Sequence, residues 1–128
     1  MPGTRVRSYR DLQVWQKAMA LVVESYRVAK LLPKSETYGL IGQIRRAAVS
    51  IPANIAEGHG LEHLGDYLRH LSVANGSLME LETHFLISVE LEYLTQDQIA
   101  QAMGMTSEVG RMLTGLRQKL RGPLTPET

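Results

Sequence analysis

Apolar residues recur along this chain at steps of three and four, the spacing that lines one face of an α-helix. In the first such stretch Leu12, Trp15, Met19, Val22, Tyr26 and Ala29 fall on one seam. Ser8 with Asp11 reads as a capping box before it, and Pro33 follows its end. A second stretch runs from about Glu36 to Glu57 and is stopped by Gly58 and Gly60. A third aligns Leu64, Tyr67, Leu71, Ala74, Leu78, Leu81 and Phe85, ending near Leu91. Thr95 and Gln98 form another capping box, after which Ile99, Ala102, Val109, Leu113, Leu116 and Leu120 share a face. No stretch alternates convincingly as a strand. Short connections between four amphipathic helices predict an all-α fold, an antiparallel up-down-up-down four-helix bundle over residues 8–121. Residues 1–7 and 122–128 are expected to be flexible termini.

The second stretch has three faces when unrolled at about 100° per residue. Leu40, Ile44, Ala47, Ile51 and Ile55 form a core stripe. Gln43, Arg46, Ser50, Asn54 and Glu57 form a polar stripe beside it, expected to be a satisfied hydrogen-bond network near a helix or subunit interface. Gly42, Val49, Ala53 and Ala56 lie roughly opposite the core. A solvated face is normally rich in Lys and Glu, so small residues there predict a second packing surface, the oligomer interface. Pro52 stands inside this helix. It removes the hydrogen bond to the Ala48 carbonyl and predicts a kink, at a cost of about 3 kcal/mol.

Composition narrows the function classes. The 128 residues suit one domain, and with aromatics at only 5% the core must come from Leu, Ile, Val, Ala and Met. The absence of cysteine excludes disulfides, thiol catalysis and cysteine-ligated zinc. Apolar runs are too short for a membrane span. Arg5, Arg7 and Arg10 precede an apolar region, but Lys17 and Glu24 interrupt it, so a secretory signal is not expected and cytoplasmic residence is. Residues 1–56 carry nine basic and three acidic side chains, residues 57–97 one and eight, and residues 98–128 four and two. Basic and acidic helices either neutralise one another within one bundle or meet between subunits, or the basic face meets nucleic acid.

No catalytic constellation stands out. The chain has no G-x-S-x-G elbow, P-loop or H-E-x-x-H, and no Glu lies three residues before a His as di-iron bundles require. His59, Glu62, His63, Asp66 and His70 are the best metal candidates, but the only further histidine, His84, is on the same helix. No metal, no cofactor and no enzymatic activity are expected. Arg45 and Arg46 invite a phosphate-binding reading, with structural pairing as the competing one. Arg5, Arg7, Arg10, Arg117, Lys119 and Arg121 are more available to a polyanion. They lack interleaved aromatics, so such contacts would be to the backbone.

The run QIRRAAVSIPANIAEG, with LQVWQKAMALVVESY before it, closely resembles the four-helix-bundle family named after 23S rRNA intervening-sequence proteins. The resemblance rests on Leu12, Val14, Trp15, Ala18 and Tyr26, then on Gln43, Arg45, Arg46, Ala47, Ser50 through Pro52 and Asn54 through Gly58. Tyr67, Leu68, Leu71, Ala74, Gly76, Ser77, Glu80 and Leu81 fit more loosely. It implies a small bacterial bundle that assembles as a ring-like homopentamer. A related branch, the accessory protein of diversity-generating retroelements, is a basic pentamer that binds nucleic acid and a reverse transcriptase. The acidic third helix departs from that branch. The expected function is therefore a non-enzymatic oligomeric scaffold that binds another protein, the alternative being weak, sequence-tolerant RNA binding.

Overall fold

The computed structural model describes residues 6–122. The expected termini therefore lie mostly outside the described residues. Four helices form, with no strand among the described residues: α1 (Gln13–Ala29), α2 (Gly42–His59), α3 (Leu64–Glu90) and α4 (Gln96–Arg121). Ser8 and Asp11 do form a capping box, but around the short turn Tyr9–Asp11 and not around α1 itself. The Ser8 hydroxyl accepts the Arg10 amide at 3.1 Å, and the Asp11 carboxylate accepts the amides of Arg7 and Ser8. Those two bonds hold the Asp11 carboxyl below its ordinary range. The second box closes as read: Thr95 accepts the Gln98 amide, and Gln98 accepts that of Thr95.

The seam on α1 differs from the one its periodicity suggests. Val14, Ala18, Leu21, Ser25, Val28 and Ala29 are buried, a stripe about one residue out of register with the expected one. Trp15 is half-buried against the edge of Tyr9, while Met19 and Tyr26 are 42% and 36% exposed. Two apolar stripes lie side by side on this helix, and periodicity alone cannot choose between them. Packing selects the one with Ala18 and Ser25, whose small side chains let neighbouring helices approach closely.

The expected start of α2 near Glu36 is also displaced. A turn at Lys34–Glu36 leads into a wider turn over Thr37–Ile41, whose Gly39 leaves helical geometry. A Cβ at Gly39 would collide with the Glu36 carboxylate, which accepts the Leu40 amide at 2.9 Å. From Gly42 the helix runs through Pro52 to His59 without interruption. Leu40, Ile44, Ala47, Ile51 and Ile55 are all buried.

Helix α3 buries Leu71, Ala74, Leu78, Leu81 and Phe85, together with His70 and Ser88, but leaves Leu64 half exposed. Helix α4 buries Ile99, Ala102, Val109 and Leu113 around Thr106, and Gly122 ends it at φ 74°. Each helix packs on two others: α1 and α3 both contact α2 and α4. At one end the Tyr93 hydroxyl donates to Glu36 at 3.0 Å, tying the α3–α4 connection to the α1–α2 connection. That bond raises the phenol above its ordinary pKa. Among the described residues no helix is long and apolar enough to cross a membrane.

Candidate functional site

Helix α2 turns three chemically distinct faces to its surroundings, and each has a different fate. The core stripe is buried. The polar side meets α3 through a chain of hydrogen bonds that starts at Ser50, whose hydroxyl lies 2.8 Å from that of Ser77. The Asn54 amide nitrogen donates to the Ser50 carbonyl at 2.9 Å and to its hydroxyl at 3.0 Å. That leaves the Asn54 oxygen as acceptor for His70 Nδ1, 3.0 Å away. The other ring nitrogen of His70 lies 3.7 Å from Glu57.

This seam is not the five-membered network expected from the sequence. Ser50, Asn54 and Glu57 take part, joined by Ser77 and His70 of α3. Gln43 and Arg46 are exposed. Arg46 follows Ile44 by two residues, which turns it about 200° from the core, and its guanidinium folds beside Gly42. Glu57 is 65% exposed, so its contact with His70 is that of a surface pair. Neither Ser50 nor Asn54 turns to Ala48, whose carbonyl Pro52 deprives of a donor.

The third face is mixed. Val49 is 44% exposed and Ala53 is exposed, while Gly42 and Ala56 are half-buried. On the adjoining α1, Met19, Tyr26 and Val23 are also exposed apolar residues, the last 72% exposed. Arg45 lies across the Tyr26 ring, 5.0 Å from its centre, a cation–π contact. Its Nε is enclosed without a partner.

The remaining basic residues divide in the same way. Arg7, Arg10, Lys119 and Arg121 are exposed, whereas Arg117 is half-buried with its Nε enclosed; Arg5 lies outside the described residues. Among the described residues, His59, His63 and His70 do not come together as a metal-binding group. His59 meets the edge of Tyr67, His63 precedes α3 in the open, and both ring nitrogens of His70 face α2. His63, Asp66 and His70 follow one another at steps of three and four, but that spacing cannot say that His70 is taken up by Asn54. Ser77 and His70 were missed as members of the seam because they belong to another helix, and only the packing of α2 on α3 brings them in.

The model of the family described as 23S rRNA-intervening sequence protein matches residues 10–115. Comparison with curated proteins gives no match. Among solved structures, the chain resembles a protein of unknown function from the S23 ribosomal protein family of Bacteroides thetaiotaomicron. The TM-score is 0.76 at 24% identity, covering 82% of this chain and 98% of that one. At this identity the likeness is one of fold.

Proposed function

Because this chain belongs to the 23S rRNA-intervening sequence protein family, we propose that it is a non-enzymatic scaffold, a homo-oligomer that presents repeated surfaces to another protein. The carrying observation is the outer face of α2, where Val49 and Ala53 are exposed, with Met19, Val23 and Tyr26 exposed on the α1 helix that adjoins it. A face turned only to water would carry more charge, and contiguous exposed apolar residues mark contact surfaces. In this reading Gly42, Val49, Ala53 and Ala56 are the α2 part of the contact, and the family resemblance supports a ring of five. The seam of Ser50, Asn54, His70 and Ser77 has a supporting part: it fixes α2 against α3 so that the outer face is presented rigidly. A non-enzymatic reading accords with the histidines, since His70 and His59 are committed to Asn54 and Tyr67.

We read the four helices as an antiparallel up-down-up-down bundle. Ser50 pairs with Ser77 and Asn54 with His70, so numbers rise along α2 as they fall along α3. The same inversion relates Glu82 with Thr106 to Leu78 with Gly110. A bend at Pro52 belongs to this reading too, directing the outer face of α2. RNA binding through Arg7, Arg10, Arg45, Arg117, Lys119 and Arg121 has less support, because Arg45 is engaged by Tyr26.

The Ala53→Arg variant tests the assembly. It places a long cation in the middle of the face, and should give monomers with wild-type helicity by circular dichroism. An unchanged assembly mass would remove this face from the contact.

A further inference from the structure

We propose that the α1–α2 face docks on the α3–α4 edge of a second copy of this chain, an apolar contact closed by Lys30 and Arg45 of one copy against Glu82 and Glu90 of the next. This rests on the assembly reading above and names the other half of its interface. On α1 the outward row is Met19, Val23, Tyr26 and Lys30, at steps of four, three and four. Met19, Val23 and Tyr26 are exposed apolar surface, Lys30 is exposed, and Arg45 lies over Tyr26 at the cationic end.

On α3 a second outward row has nearly the same spacing and the opposite charge: Met79, Glu82, Leu86 and Glu90. Met79 is 60% and Leu86 44% exposed, and Glu90 is exposed. The Thr106 hydroxyl shares its one proton between a Glu82 oxygen at 2.9 Å and the Met103 carbonyl at 2.7 Å, and the other Glu82 oxygen is left for a partner. Beside this row a shallow groove of about 530 Å³ runs between α3 and α4, with Gly110 and Gly115 among its walls. Gly110 closes on Leu78 of α3, while a Cβ at Gly115 would meet nothing within 4 Å, so that wall is open to a neighbouring helix. A ridge carrying Val23 and Tyr26 suits such a groove.

Charge selects this occupant over others. Residues 6–56 carry eight basic and three acidic side chains, and residues 57–97 one basic and eight acidic. Each copy therefore offers an apolar α1 row that ends in cations, Lys30 and Arg45, and an α3 row that sets Met79 and Leu86 among the carboxylates Glu82 and Glu90, and these attract one another and repel their like. Among the described residues the groove lining holds one cation, Arg111 on the α4 wall, against one carboxylate, Glu82. Because the two patches differ, the contact is heterologous, and it makes a ring wherever the rotation closes.

The test uses two full-length variants, Lys30→Glu and Glu90→Lys, each checked for helicity by circular dichroism. Each alone sets like charges against each other at every junction and should weaken self-association about tenfold at low salt. Mixed one to one, with one variant fluorescently labelled, each junction between unlike copies again opposes Glu to Lys, a ring of five keeping a single junction of like copies, and sedimentation velocity should show the label rejoining an assembly. If Ala53→Arg dissociates the protein but these variants keep the wild-type mass, or if mixing restores nothing, the assembly stands and this pairing is overturned. A wild-type monomer would overturn both.

Discussion

Asn54 is held from two sides. Its nitrogen is used by Ser50, so its oxygen faces His70 and the ring proton belongs on Nδ1. Asn54→Ala would leave that N–H unpaired in a ring only 8% exposed, and should cost about 1–3 kcal/mol in urea denaturation. Glu57→Ala removes an exposed pair and should cost about 0–1 kcal/mol. Equal losses would contradict this division of the seam. Asp11 adds a pH dependence, since two backbone amides lower its carboxyl in the folded state. A lowered carboxyl contributes stability that is present above the ordinary carboxylate range and is lost as pH falls through the folded value. Asp11→Asn should therefore be less stable than wild type at neutral pH, with the gap closing in strong acid; a gap independent of pH would refute the cap's role. From sequence, the spacing of Ser50, Asn54 and Glu57 along one helix was legible. Which side chains of α3 would meet them was not, because periodicity orders residues within a helix and carries no register between helices.

Glycines show how closely elements meet. A Cβ on Gly58 would lie 2.8 Å from His70 Cβ and 3.0 Å from the Tyr67 ring, so α2 and α3 touch there almost backbone to side chain. Gly58→Ala should force the helices apart and cost about 1–3 kcal/mol. A Cβ on Gly104 meets nothing within 4 Å, and Gly104→Ala should stabilise α4 by about 0.5–1 kcal/mol. Thermal melts should move in opposite directions; a shared direction would contradict the packing. The same closeness explains what α1 concealed. Leu12, Trp15, Met19, Val22 and Tyr26 form as regular a stripe as the buried one, and bulk made it look like core. Ala18 and Ser25 sit on the buried side because the neighbouring helices come close, a fact no single helix encodes. The core stripe of α2 was legible because only one face there holds Leu and Ile. Its start was not, because Gly39 leaves helical geometry where the Glu36 carboxylate turns in to accept the Leu40 amide, a close approach that only a residue without Cβ allows and that is visible only in three dimensions.

At the scale of the molecule, composition shows the charge division, and packing gives it direction. Helices α1 and α2 adjoin one another, and the exposed apolar residues of their outer side are bordered by cations. Those of α3 are bordered by carboxylates. A lone subunit would keep both apolar surfaces in water; repetition of one contact would cover them in pairs. The central claim is that this chain works as a closed assembly, and its mass in solution tests that most directly. Light scattering coupled to size exclusion, at micromolar concentration and in low and moderate salt, should give one species at several times the 14.3 kDa of a single chain, five times if family resemblance holds. A single-chain mass under all of these conditions would contradict it.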